Sequence, residues 1–159
     1  MGSALGNRIL KVNHAGEHGA VNIYRAQIFV SRFTAPSMTD ALIHFISHEQ
    51  RHRALFWRLM QTREVRRCRS FVFCGIGGYA LGFLTALLGR QAIAATTYAV
   101  ESVVLGHLEQ QLVALDAVDN EARDAIADIV EEERAHHDHG QSLIEAGKFW
   151  PPLITPVVR

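Results

Sequence analysis

The sequence predicts an all-α fold, with four long helices forming two antiparallel helical hairpins joined by a longer crossover. Three observations lead there. Strand signals are nearly absent: no run of Val, Ile or Thr alternates with polar residues between Gly-Asn type turns. Four long segments carry apolar residues at helical spacing. The breaks between the segments carry helix stop and start residues.

The first helix is expected from about Ala4 to Phe33. Thr34-Ala35-Pro36 ends it, since Pro cannot continue a helix. The second starts near Ser37, with Asp40 three residues on as a capping pair, and runs to about Thr62. A loop holding a cluster of arginines follows. The third begins after Gly78 and continues to about Asp116. Asp119 and Asn120 are both good N-caps for the fourth, which lasts to about Gly147. Phe149 and Trp150 add apolar bulk, and Pro151-Pro152 stops any further regular helix. Two hairpins with one long connection describe a four-helix bundle with a single crossover.

A chain of 159 residues with 48 % hydrophobic and 20 % charged residues makes one domain, 1–159, with enough apolar material for a sizeable core. Intrinsic disorder is excluded by the same figures. Two cysteines, Cys68 and Cys74, exclude a disulfide-stapled module and a zinc ribbon, and both are read as packing residues. Met1-Gly2-Ser3-Ala4 has no basic region followed by an apolar one, so no signal peptide is expected and a reducing compartment is the default.

The net charge of zero hides an asymmetry. Residues 1–90 hold twelve Lys/Arg against four Asp/Glu, and residues 91–159 hold four against twelve. The arginine run Arg63, Arg66, Arg67 and Arg69 leads into an uncharged stretch, Phe71 to Gly89. Basic residues beside apolar ones suit an anionic membrane surface, so 63–89 is expected to be an interfacial segment with Arg63 to Arg69 on headgroups. The 19 uncharged residues from Phe71 to Gly89 could span a bilayer by length. Gly75, Gly77, Gly78 and Gly82 fragment the run, which argues for interfacial attachment, or for a dimer interface. Nucleic acid is not an expected partner, because no regular array of stacking aromatics accompanies the arginines.

The residues with chemistry are two Glu-x-x-His motifs, Glu49-Gln50-Arg51-His52 and Glu133-Arg134-Ala135-His136. Residues three apart share a helix face, so each motif offers a carboxylate and an imidazole to one ion. One such motif means little, since chance supplies about 0.6 in a chain of this composition. The spacing means more. Glu17 precedes Glu49 by 32 residues, and Glu101 precedes Glu133 by 32. The midpoints, Phe33 and Ala117, fall at the two expected hairpin turns. Each pair therefore sits at equal height on two antiparallel arms, roughly 24 Å from the turn. Four carboxylates and two imidazoles converge, the ligand set of carboxylate-bridged di-iron or di-manganese bundles. Two carboxylates would bridge the metals, two would be terminal, and each ion would have one His. Glu17 and Glu101 lie in apolar surroundings, where a buried carboxylate needs a partner.

Other residues carry lesser expectations. His107, six residues after Glu101, is a candidate for the layer behind the ligands or a proton carrier, and His14 is similar. Tyr24 is expected to pack in the core. His18, His137 and His139 are expected in solvent, and Asp138 on the surface. His44 and His48 receive no role.

The run Asn13-His14-Ala15-Gly16-Glu17-His18-Gly19-Ala20, with Ile23-Tyr24 and Gln27, resembles the demethoxyubiquinone hydroxylase family of ubiquinone biosynthesis. The similarity continues through Glu49-x-x-His52, Leu81 to Gly89, Ala99-Val100-Glu101 with His107, and Glu133-x-x-His136-His137-Asp138. The resemblance implies a ferritin-like di-iron monooxygenase that uses O2 to hydroxylate the ring of a demethoxy-quinol. It implies two Fe2+ ions on Glu17, Glu49, His52, Glu101, Glu133 and His136, with NADH or a reduced quinol as reductant. It further implies a polyprenyl quinone substrate, a membrane surface, a homodimer and a lipid-binding partner protein. The location implied is the cytoplasmic face of a bacterial inner membrane or the matrix face of the mitochondrial one. Two positions depart from the family pattern: His18 stands where Tyr is common, and Leu108 where an aromatic residue is common. Family chains also continue with a further apolar helix beyond the position of Arg159. A soluble ferritin-like oxidase or peroxidase, and a non-enzymatic scaffold with a structural metal, are the competing classes.

Overall fold

The computed structural model describes residues 2–144, and within them every regular element is helical. The expected end of the last helix near Gly147 and the Pro151-Pro152 stop lie outside the described residues.

Helix α1 spans Ala4–Thr34, capped by Ser3, whose hydroxyl accepts the Gly6 N–H at 2.8 Å. Pro36 then opens a single 3-10 turn, Pro36–Met38, and α2 follows as Thr39–Thr62. The expected Ser37–Asp40 cap is not formed. Met38 occupies the cap position with no side-chain bond, because the 3-10 turn already satisfies the first backbone donors. After the arginine loop come α3 (Phe71–Leu87), α4 (Arg90–Leu115) and α5 (Asn120–Leu143). Asp119 caps α5 as expected, accepting the Ala122 N–H at 3.2 Å.

The third predicted helix is in fact two. The chain is helical from Phe71, not from beyond Gly78, and breaks at Gly89, whose φ of +87° is open to glycine. The glycines do not fragment α3. A Cβ at Gly78 would strike the Gly19 carbonyl, and one at Gly82 the Ile23 carbonyl, so these glycines let α3 lie directly on the α1 backbone. The low helix propensity of glycine is offset by close packing. Thr34 donates to the Ala86 carbonyl at 2.7 Å, and Gln27 to the Thr85 hydroxyl at 3.3 Å, which fixes α3 parallel to α1. The long crossover between hairpins α1/α2 and α4/α5 is therefore itself a helix.

Two apolar clusters fill the bundle. One contains Leu10, Phe56, Met60, Leu115 and Ile126; the other contains Val30, Met38, Leu42, Phe45 and Ile93. The Glu-x-x-His level lies between them.

One further correction concerns Arg63. It does not reach outward to headgroups. Its guanidinium is buried and forms a bidentate pair with Asp119 at 2.8 and 2.9 Å, and also meets Glu121 at 2.6 Å. Asp119 accepts in addition from the Ser3 N–H at 2.9 Å. One carboxylate thus ties together the start of α1, the end of α2 and the α4/α5 turn. Hydrogen bonding from Arg63, outweighing burial, holds the Asp119 carboxyl far below its usual range.

Asp119→Asn should cost about 3 kcal/mol, because it removes the buried bidentate partner of Arg63 and leaves its charge only the exposed Glu121. The measurement is urea unfolding at neutral pH. In the parent chain this contribution is present above the ordinary carboxylate range, around pH 4, and disappears as pH falls through the depressed value. The difference between parent and variant should therefore shrink in acid.

Candidate metal centre

Each bundle helix delivers its part of the cluster: α1 Glu17, α2 Glu49 and His52, α4 Glu101, and α5 Glu133 and His136. All six side chains are buried, Glu17 being the most exposed at 6 %. Two groups of four ligand atoms each lie within 4.8 Å of one another: Glu17, Glu49, His52 and Glu133, and Glu49, Glu101, Glu133 and His136. Glu49 and Glu133 belong to both groups, and each group has one imidazole of its own.

The chemistry of this set fits a pair of cations. Four carboxylates in one buried volume repel one another and have lost their water. Glu17 and Glu101 are pushed well up, first by burial and then by the other carboxylates. His52 Nδ1 lies 2.8 Å from Glu133 Oε1, and His136 Nδ1 3.1 Å from Glu49 Oε1. Yet these four atoms make no hydrogen bond of proper geometry. Buried acceptors that face one another without bonding are arranged to share a cation.

The outer imidazole nitrogens show how the ligands are held. His52 Nε2 is 2.7 Å from Glu132 Oε2, and Glu132 also accepts from Arg51 at 2.6 Å. His136 Nε2 is 3.1 Å from His48 Nδ1. The arrangement is reciprocal. The residue before each motif glutamate reaches across the hairpins and holds the imidazole of the other motif. With the proton on Nε2, each Nδ1 lone pair is turned toward the carboxylates, as metal ligation requires. Tyr24 donates to Glu101 Oε1 at 2.7 Å, so it contacts the site instead of only packing.

Sequence reasoning missed Glu132 and His48, and assigned no role to the latter. Both lie on the repeat offset of 84 residues that relates the two motifs, so extending that repeat by one position finds them. Asp138 bonds His137 at 2.8 Å on the surface, as expected of it. His107 is exposed and hydrogen-bonds none of the described residues; it lines a cavity leading to the cluster. His14 is buried in a stack, 5.2 Å from Trp57 and 5.0 Å from Phe71, so it serves packing. His18 is not in solvent but half-buried on Phe71, and His137 and His139 are half-buried as well.

That cavity, about 490 Å³, lies between α1, α3 and α4. Val12, Ala20, Ile23, Leu81, Val100 and Val104 are among its walls, and Glu17, Glu49, Glu101 and Glu133 also border it. Cys74 contributes to its wall, so that thiol is more than core filling.

Fold and site together define a helical bundle with a buried carboxylate–imidazole cluster able to hold metal, reached through an apolar cavity. The chain belongs to the family described as ubiquinone biosynthesis protein COQ7, whose model matches residues 4–159. It is 36 % identical over 138 residues to the 3-demethoxyubiquinol 3-hydroxylase of Rhodospirillum rubrum, covering 87 % of this chain and 65 % of that one. It is 35 % identical over 138 residues to the mitochondrial NADPH-dependent 3-demethoxyubiquinone 3-hydroxylase of Homo sapiens, covering 84 % and 63 %. It is 37 % identical over 106 residues to the mitochondrial 5-demethoxyubiquinone hydroxylase of Saccharomyces cerevisiae, covering 67 % and 46 %. The chain thus spans about two thirds or less of the length of these relatives.

Glu132→Gln or His48→Ala should weaken divalent metal binding by about 10–100-fold while the helical content stays unchanged. Competition against a chromophoric chelator measures this. Parent-like affinity in both variants would reject the holding role.

Proposed function

We propose that the chain is a di-iron monooxygenase that hydroxylates the ring of a demethoxy-quinol, the reaction for which its relatives are named. The observation that carries the reading is an apolar cavity bordered at once by four buried carboxylates. One oxygen atom of O2 enters a ring C–H bond, the other leaves as water, and two electrons come from a reductant. A reduced pyridine nucleotide is the reductant class printed in the names of several eukaryotic relatives.

Glu17, Glu49, His52, Glu101, Glu133 and His136 would hold the irons. When bound, the irons supply the activation of O2. The remaining work belongs to the chain. Glu132 keeps the His52 imidazole proton on Nε2, His48 meets the outer nitrogen of His136, and Tyr24 fixes the orientation of Glu101 by its hydroxyl proton. The valine, leucine and isoleucine walls exclude water and admit a ring with an apolar tail.

Helix α3 explains how such a substrate arrives. Its Gly75, Gly78 and Gly82 face α1, its Cys74, Gly77 and Leu81 face the cavity, and Val72, Phe73, Ile76, Leu84 and Leu87 are each more than half exposed. No helix among the described residues is long and apolar enough to cross a membrane. We read the exposed face of α3 as lying in the membrane interface, where the polyprenyl substrate resides, so that the tail passes across one helix from bilayer to cavity.

Two substitutions separate the metal from the substrate part. Glu133→Ala should remove both iron binding and turnover of a short-chain demethoxy-quinol, since Glu133 serves both metal groups. Gly77→Leu should keep iron but lose most turnover: a Cβ there meets nothing within 4 Å, so the longer side chain enters the cavity instead of disturbing the fold. Iron content, O2 uptake and product formation measure the two. Full turnover in Gly77→Leu would contradict the cavity's assignment.

A further inference from the structure

Three arginines converge beside the α1/α3 seam. Arg53 on α2 donates to His18 Nδ1 at 3.1 Å. His18 in turn lies flat on Phe71, ring centroids 3.9 Å apart and planes 6° from parallel. Arg67, in the loop before α3, sits 4.9 Å over the same Phe71 ring and 4.3 Å over Trp57. Arg25, two turns beyond His18 on α1, bonds Asn22 at 3.4 Å, and Asn22 donates to the His18 carbonyl at 2.7 Å. None of the three guanidinium groups makes an ion pair among the described residues, whereas Arg51, Arg63, Arg123 and Arg134 all do.

The positive charges are close enough to act on one another. Burial, then Arg25 and Arg67, hold the Arg53 guanidinium below its ordinary range, against a smaller opposing pull from Glu17. Burial, then Arg53, Arg25 and Arg67, lower His18. Gathered like charges repel one another, and a bound anion relieves that repulsion. The surroundings indicate what kind of anion. An open groove of about 490 Å³ starts at His18 and Asn22 and continues along Val72, Ile76, Tyr79 and Ala80. Polar recognition at one end and an apolar track at the other match an amphiphile.

We propose that Arg25, Arg53 and Arg67 bind the phosphate of an anionic phospholipid headgroup, with an acyl chain of that lipid lying in the α1/α3 groove. The site deepens the interfacial reading of α3. It replaces the expected contact through Arg63, which is committed to Asp119. Arg67 on Trp57 and Phe71 is held flat, so its outward N–H groups are preorganised for two phosphate oxygens.

The test uses the iron-loaded full chain and calorimetric titration with monomeric dihexanoyl phosphatidylglycerol, together with sedimentation on phosphatidylcholine vesicles with and without phosphatidylglycerol. A saturable one-to-one site is expected. It should weaken at least about tenfold in Arg53→Gln or Arg67→Gln and stay unchanged in Arg66→Gln or Arg69→Gln, which change charge outside the cluster. Equal binding in all four variants overturns the proposal. So does saturable binding of inorganic phosphate or NADPH at these arginines with no binding of the lipid. Vesicle binding is read separately through Ile76→Ser. If that variant loses vesicles while Arg53→Gln and Arg67→Gln titrate the lipid like the parent, the headgroup site falls and the interfacial face stands. If the monomeric lipid binds through these arginines and no vesicle does, the site stands and the interfacial face falls.

Discussion

Four carboxylates buried within a few ångströms of one another are the constraint from which the rest of the molecule follows. Left to themselves they repel, and burial removes the water that would screen them. The bundle therefore confronts them with two imidazoles whose outer nitrogens are already engaged, by Glu132 and His48. Apolar clusters on either side of the level supply the packing free energy that the charged layer does not. The Arg63–Asp119 clamp ties α1, α2 and the α4/α5 turn at one end, so the hairpins cannot spread under the repulsion at mid-height.

Much of this was legible in the sequence because helices are periodic. Four glutamates at a repeated 32-residue spacing, symmetric about two turns, with a histidine three residues after two of them, define a level in a bundle. What stayed hidden depends on contacts between distant segments. Glu132 and His48 look like ordinary helix-surface residues until the hairpins are brought together and each reaches a motif from the other hairpin. Arg63 could not be told from its neighbours Arg66 and Arg67, since only the α4/α5 turn gives it a partner. Tyr24 reads as core by its apolar neighbours, and its hydroxyl finds Glu101 only across the bundle.

Helix α3 shows the same limit from the other side. Glycine reads as a breaker from local propensity, and Gly75, Gly78 and Gly82 suggested an irregular crossover. In the folded chain Gly78 and Gly82 are where one backbone lies on another, Gly75 makes room for the His18 ring, and tertiary contact overrides local preference. That decision places an apolar helix between the outside of the protein and the cavity. One element thus serves as crossover, cavity wall and exposed apolar face, which is why the substrate reading and the membrane reading are linked.

The most direct measurement is anomalous X-ray scattering at the iron edge from crystals of the Fe(II)-loaded chain. The account predicts two peaks of comparable height, one among Glu17, Glu49, His52 and Glu133 and one among Glu49, Glu101, Glu133 and His136, each approached by imidazole Nδ1. A single peak, or iron only on surface histidines such as His44 and His107, would contradict it.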